Sequence, residues 1–197
     1  VPAVQCTFWI SRIKITIAMN MKYISVFFIF FAQSAVAQTY SPTDAGDAVQ
    51  FRIKNLGFDV NGSFRGLKGK ILFTPDNLSA SNVEVTIDAT TVNTDNSTRD
   101  KHLRGKDYFD ATAFPQIKIT SERVARSVTP GYYVFFGKLS MKGVVQNISF
   151  PFKATEESGG IRFTGTFSIK RRDFGVGGRS TISNDVDIKL NVFAKKL

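Results

Sequence analysis

Ile161-Arg162-Phe163-Thr164-Gly165-Thr166-Phe167-Ser168-Ile169-Lys170 is the stretch that decides the fold. Ile161, Phe163, Phe167 and Ile169 share one parity, while Arg162, Thr164, Thr166, Ser168 and Lys170 hold the other. A period of two belongs to an extended strand with one dry face and one wet face. Working outward, the same alternation returns on both sides. Val186, Ile188, Leu190 and Val192 alternate with Asp187, Lys189 and Asn191 near the C-terminus. Toward the N-terminus, Val49, Phe51 and Ile53 alternate with Gln50, Arg52 and Lys54, and Val83, Val85 and Ile87 with Glu84, Thr86 and Asp88. Ile117 with Ile119, Tyr133 through Met141, and Ile148 through Phe152 add three more segments. The pattern predicts an all-β chain of about eight antiparallel strands, closed into a small barrel with an apolar interior.

Local punctuation refines this reading. Asn55-Leu56-Gly57 bends the first strand, and Asn61-Gly62 is a tight-turn dipeptide that predicts a turn or a bulge. Gly66 and Gly69 lie inside a strand pattern, where glycine marks a bend or a close backbone approach, and Pro75-Asp76-Asn77 stops that segment. Pro151 predicts an edge or irregular position. Alternation lapses from Asn93 to Phe114. There Asn96 can cap a short helix over Ser97 to Arg104, with Gly105 as its stop. This insertion, around residues 96–110, is a candidate lid or plug at a barrel mouth.

The N-terminal segment reads separately. Met21-Lys22 followed by the apolar run Tyr23 to Ala32 and then Ala35-Val36-Ala37 has the layout of a secretory signal peptide. A membrane anchor needs about 20 apolar residues, and Gln33 and Ser34 interrupt this run too early. Residues 1–20 read as an upstream extension, 21–37 as the signal peptide and 38–197 as one barrel domain, with export to the periplasm or beyond. Cys6 and Trp9, the only residues of their kinds, fall in the leading segment, so the exported domain has no disulfide framework and depends on burial. Without Arg12, Lys14 and Lys22 it keeps 23 basic against 16 acidic residues, net +7. This charge serves solubility or attraction to anionic lipid surfaces. Export and the scatter of basic residues argue against nucleic acid.

Little here suggests catalysis or metal binding. His102 is the single histidine, and a domain without cysteine offers no soft-ligand zinc or copper site. Asp100 lies two residues from His102, a spacing at which helical side chains do not face each other. Asp173-Phe174-Gly175 copies a kinase signature without its companions, and Gly175-Val176-Gly177-Gly178 lacks the strand-to-helix context of a phosphate cradle. An outer-membrane barrel would turn its apolar side to lipid, with aromatic girdles at both rims. Here most aromatics sit mid-segment, and Gly66, Gly137 and Gly165 share the apolar parity, which favours a barrel with its apolar side inward. Fourteen of the 19 phenylalanines lie beyond residue 37. They can either fill the interior or line a slot for an apolar chain, and the pattern leaves both open.

Ordered matches along the chain point further. Thr98-Arg99-Asp100-Lys101-His102-Leu103, then Asp107-Tyr108-Phe109-Asp110 and Phe114-Pro115-Gln116-Ile117, resemble a run found in the YceI-like, polyisoprenoid-binding family. Leu56-Gly57-Phe58, Phe64-Arg65-Gly66, Gly69-Lys70-Ile71, Gly137 to Gly143, Arg172 to Val176 and Asp185 to Ile188 match in order as well. The resemblance covers residues 40 to 197. It implies an eight-stranded lipocalin-like antiparallel barrel, exported, that carries or stores a long isoprenoid or related amphiphile and has no established reaction. Asn55 stands where the family often has His, and Phe114 where it has Tyr.

On this basis the expected ligand is an isoprenoid or quinone-like lipid, with no other cofactor and no catalytic residue. The expected lumen lining is Phe51, Ile53, Phe73, Val85, Phe109, Ile119 and Phe135, continuing through Leu139, Met141, Phe150, Phe163, Phe167, Ile169 and Ile188. Arg99 and His102, near the lid, are head-group candidates; fixing the lid is their alternative role. Two further readings are an exported structural or partner-binding barrel with a filled core, and a prenyl- or acyl-lipid enzyme using His102. Transient membrane contact follows from the charge, and Val134 with Phe136, on the outer parity, suggests a homodimer.

Overall fold

The computed structural model describes residues 38–44 and 46–197; the extension and signal peptide read at 1–37 lie outside the described residues. Nine strands form one sheet: β1 (Thr39–Pro42), β2 (Val49–Asn55), β3 (Phe58–Leu72), β4 (Asn82–Asn93), β5 (Gln116–Arg126), β6 (Tyr132–Met141), β7 (Val144–Glu157), β8 (Gly160–Lys170) and β9 (Ile182–Lys196). Each of β2 to β9 pairs antiparallel with the next, and β9 pairs back onto β2, so the sheet closes. There are eight positions around the barrel rather than nine. β1 and β2 share one, because both lie between β3 and β9: Tyr40 opposes Ile71 and Lys196, while Val49 opposes Phe64 and Leu190. The short β1 has too few residues to show alternation in the sequence. Every strand finds both neighbours within residues 39–196, around a shared core.

The turn of the first hairpin falls at Leu56-Gly57, not at Asn61-Gly62. Phe51 opposes Gly62, Ile53 opposes Val60 and Asn55 opposes Phe58. This register aligns the apolar parity of both strands, which a turn at Asn61-Gly62 would break by setting Asp59 across from Phe64. A Cβ at position 62 would strike the ring of Phe51, so the missing side chain makes room for an aromatic. Gly66, with a φ of 78°, sits where the β3–β4 register shifts, and Gly69, with a φ of 137°, marks a close backbone approach, since a Cβ there would strike the Glu84 carbonyl.

Pro151 lies where two ladders part. The β7–β8 rungs run from Glu157–Gly160 to Phe152–Gly165, while Val144 to Lys153 pair with β6. Its missing N–H therefore falls at the end of the β8 ladder. From there to the end of β7 nearer Val144, side chains hold the seam: the rings of Phe150 and Phe167 stack 4.2 Å apart, and Gln146 donates to the Asp173 carbonyl at 3.0 Å.

The connections β2–β3, β4–β5, β6–β7 and β8–β9 gather at one end, the mouth, and the others at the floor. Helix α1 (Ser97–Arg104) starts as expected, with the Asn96 side chain accepting from the Arg99 N–H at 2.9 Å. Gly105 follows it in an extended conformation, so the helix ends without a left-handed glycine. On the outer surface Val134 and Phe136 are half-buried, and the Arg123 guanidinium lies 3.5 Å from the Phe136 ring centroid. Phe136 is therefore covered rather than bare on this face.

Candidate functional site

Aromatic rings divide the interior into tiers. At the floor, Phe73 meets Tyr133 and Phe163 edge-on at 5.0 and 5.5 Å, with Phe152 beside them at 6.1 Å. Above them Phe135, Phe150 and Phe167 stack in series at 4.9 and 4.2 Å. Toward the mouth Phe51 packs on Phe64 at 5.4 Å, and Phe64 meets Phe109 edge-on at 5.3 Å. Such pairs add about 0.5–1.5 kcal/mol each beyond the area they bury.

The rings leave space. A cavity of about 170 Å³ occupies the floor half and one of about 450 Å³ the mouth half. The first is close to the size of an engineered hole of roughly 150 Å³ that admits benzene. The second falls within the roughly 300–1,000 Å³ of ordinary ligand pockets. Five side chains border both chambers and form a waist: Phe51, Phe64, Met141, Ile169 and Ile188.

Each residue expected in the lining borders one chamber or both. Phe73, Val85, Ile119 and Phe135 border the floor chamber, as do Leu139, Phe150, Phe163 and Phe167. Ile53 and Phe109 border the mouth chamber, and Phe51, Met141, Ile169 and Ile188 stand at the waist. Phe163, Phe167, Ile169, Ile188 and Leu190 line the hollow yet are only half-buried, which fits unfilled space beside them. Val49, Leu67 and Ile71 also border the floor chamber. They share the parity of chosen neighbours, and that parity was the signal for them.

The mouth chamber carries the polar groups. Thr94, Asn96, Arg99, His102 and Arg171 border it, and no carboxylate does. Arg99 is half-buried; its Nε and one terminal nitrogen donate to the Thr94 hydroxyl and carbonyl at 2.7 and 2.6 Å. Asp100 is buried and accepts from the Thr94 N–H at 2.9 Å and from its hydroxyl at 2.5 Å. Together with Asn96 these bonds fasten α1 to the end of β4. Arg99 therefore has a fixing role while its remaining N–H groups stay free to meet a ligand. His102 is exposed at the rim.

Arg171 is the residue that sequence reasoning missed. Only 4 % exposed, it donates to the carbonyls of Val176, Gly178, Ile182 and Ser183 and to the Ser180 hydroxyl, at 2.6–3.2 Å. All five N–H groups are thus occupied, and they hold the β8–β9 connection in place. Burial, then the neighbouring Arg172, lowers its pKa from the ordinary arginine value. It continues the inward parity of Ile161 to Ile169 by one step, a signal legible only if an inward charge is entertained.

A wide groove of about 980 Å³ on the outer face, over β2, β3, β8 and β9, has a different character. Arg52 and Asp187 pair across it. Asp187 accepts from the Ser168 hydroxyl at 2.7 Å and from Arg52 at 2.9 Å, and these bonds hold its carboxyl below the usual aspartate range.

A closed antiparallel barrel with an apolar, partly unfilled lumen and a helix at its mouth defines a lipocalin-like barrel. Comparison with known families narrows this: residues 40–194 match the YceI-like domain, and the chain belongs to that family. The UPF0312 protein YE1254 of Yersinia enterocolitica is 36% identical over 157 residues, covering 75% of this chain and 81% of that protein. The crystal structure of Burkholderia cenocepacia BcnA superposes with a TM-score of 0.70 at 24% identity, covering 80% of this chain and 96% of that one. A polyisoprenoid-binding domain from Saccharophagus degradans, implicated in plant cell wall breakdown, superposes with a TM-score of 0.61 at 16% identity, covering 80% and 98%.

Proposed function

We propose that residues 38–197 form an exported carrier or store that holds the apolar chain of an isoprenoid or quinone-like lipid in the lumen. The observation that carries this reading is the half-buried state of inward apolar side chains around two chambers that share a waist. Membership of the YceI-like family supports it, as does the polyisoprenoid binding named for the Saccharophagus domain. Export rests on the leader layout at 21–37. Each methylene drawn from water into the lumen gains about 0.8 kcal/mol, so a long chain needs few polar contacts for tight retention. The polar end of the lipid lies in the mouth chamber, against Arg99 and His102. A border with cations and no carboxylate suits a neutral or anionic head group.

The waist supplies the test. Ile188→Trp fills space that is open rather than crowding a packed core. It should cut uptake of a prenyl quinone about tenfold or more, since the larger side chain occupies lumen space on both sides of the waist, while leaving the melting temperature within a few degrees. Lys189→Trp, on the outer parity of the same strand, should leave uptake unchanged. Fluorescence titration of both variants reads the difference. Equal affinities in the two would refute a lumenal chain.

A further inference from the structure

The tip of the β2–β3 hairpin is built against two local preferences at once. Leu56 and Phe58 are 70% and 78% exposed. Leu56 also has a φ of 50°, followed by Gly57 at 86°. Two consecutive positive φ values are the pattern of a type I′ turn, whose first position favours Asn, Asp or Gly. A leucine there combines the steric penalty of left-handed backbone with apolar surface in water, and asparagine would relieve both. Single exposed apolar residues are ordinary. A pair at one turn, one of them in a conformation its side chain disfavours, marks a site where function overrides local preference.

The tip's surroundings identify its partner. Asn55 and Val60, at its base, border the mouth chamber. Asn55 opposes Ile182, and its side-chain carbonyl accepts from the Thr181 hydroxyl at 3.2 Å, which ties the tip to the β8–β9 connection. That connection exposes Arg172 and Arg179 against the one acid Asp173, and Lys54 is exposed on the hairpin itself. The nearby Asp59 lies 4.0 Å from Arg52 and is engaged there. Apolar side chains projecting among cations match an anionic bilayer, whose surface attracts the charges and whose interface accepts the apolar groups.

We propose that Leu56 and Phe58 form a membrane-docking tip that seats the mouth of the barrel on an anionic lipid surface, so that a chain passes between bilayer and lumen without crossing water. This goes beyond lipid carriage and is separable from it, because the tip contributes neither Leu56 nor Phe58 to the chambers.

The test uses residues 38–197 with sedimented vesicles of phosphatidylglycerol and phosphatidylethanolamine, and with vesicles of phosphatidylcholine alone. The protein should bind the first, release as salt rises, and bind the second about tenfold less. L56N/F58T should lose binding to the anionic vesicles by about tenfold or more. It should keep its melting temperature, because Asn-Gly suits the turn, and should still take up prenyl quinone from detergent. A fluorophore on Cys introduced at Leu56 should shift to the blue on anionic vesicles. The same label at Val128, fully exposed in the floor-end β5–β6 loop, should not. Unchanged binding by L56N/F58T, equal binding to both vesicle types, no vesicle binding at all, or a blue shift at Val128 would each overturn the proposal. So would a concentration-dependent dimer, dissolved by L56N/F58T, in a protein that ignores vesicles.

Discussion

Phe73→Ala lowers the stability of the barrel domain by about 3–5 kcal/mol, the range for removing a large aromatic from a packed interior. Phe73 is 2% exposed and touches three other rings, all of them edge-on. Its loss removes transfer energy and those aromatic contacts together, and leaves a hole the surrounding strands cannot close because each is pinned by two ladders. Urea unfolding followed by circular dichroism measures the change. The same substitution has a functional consequence. Phe73 closes the floor of the lumen, so the folded fraction of the variant should accept a longer chain than the wild-type protein. A loss below about 1 kcal/mol would show that the floor is not a tight aromatic cluster.

Arg171→Met costs a similar amount, about 3–5 kcal/mol, by another mechanism. Methionine preserves much of the aliphatic length but removes all five N–H donors. The carbonyls of Val176, Ile182 and Ser183 lose the partner that holds them, in a connection packed against the mouth chamber. Arg171→Lys should recover only part of the loss, because an ammonium has three donors and cannot span the same fork. Hydrogen exchange should show the effect concentrated in residues 171–182 rather than spread around the barrel. Uniform loss of protection would instead mean that Arg171 supports the whole fold.

Which features could be read from residues alone follows from their physics. The strands were legible because one face is dry and the period of two recurs in segment after segment between Val49 and Val192. Helix α1 was legible because Asn96 and the break in alternation coincide. The first turn stayed open in the sequence because local turn chemistry favoured Asn61-Gly62, which could equally be a bulge. Long-range register decided instead for Leu56-Gly57, a dipeptide with an unfavourable first residue. Arg171 was hidden by the assumption that inward means apolar. Whether the phenylalanines interlock or leave space was beyond any pattern. Phe73, Phe152 and Phe163 interlock at the floor and still border open volume, as do Phe167 and Ile169 higher on the same sheet.

The most direct measurement is the lipid content of the protein itself. Residues 38–197, purified without detergent, are extracted with organic solvent and analysed by mass spectrometry, with the intact complex weighed in parallel. A lumen that holds one chain yields a single class of prenyl or related lipid at about one molecule per barrel, and Ile188→Trp yields far less. Extracts free of stoichiometric lipid, from a protein that also fails to take up a prenyl quinone when offered one, would contradict carriage and leave a barrel whose hollow serves no ligand.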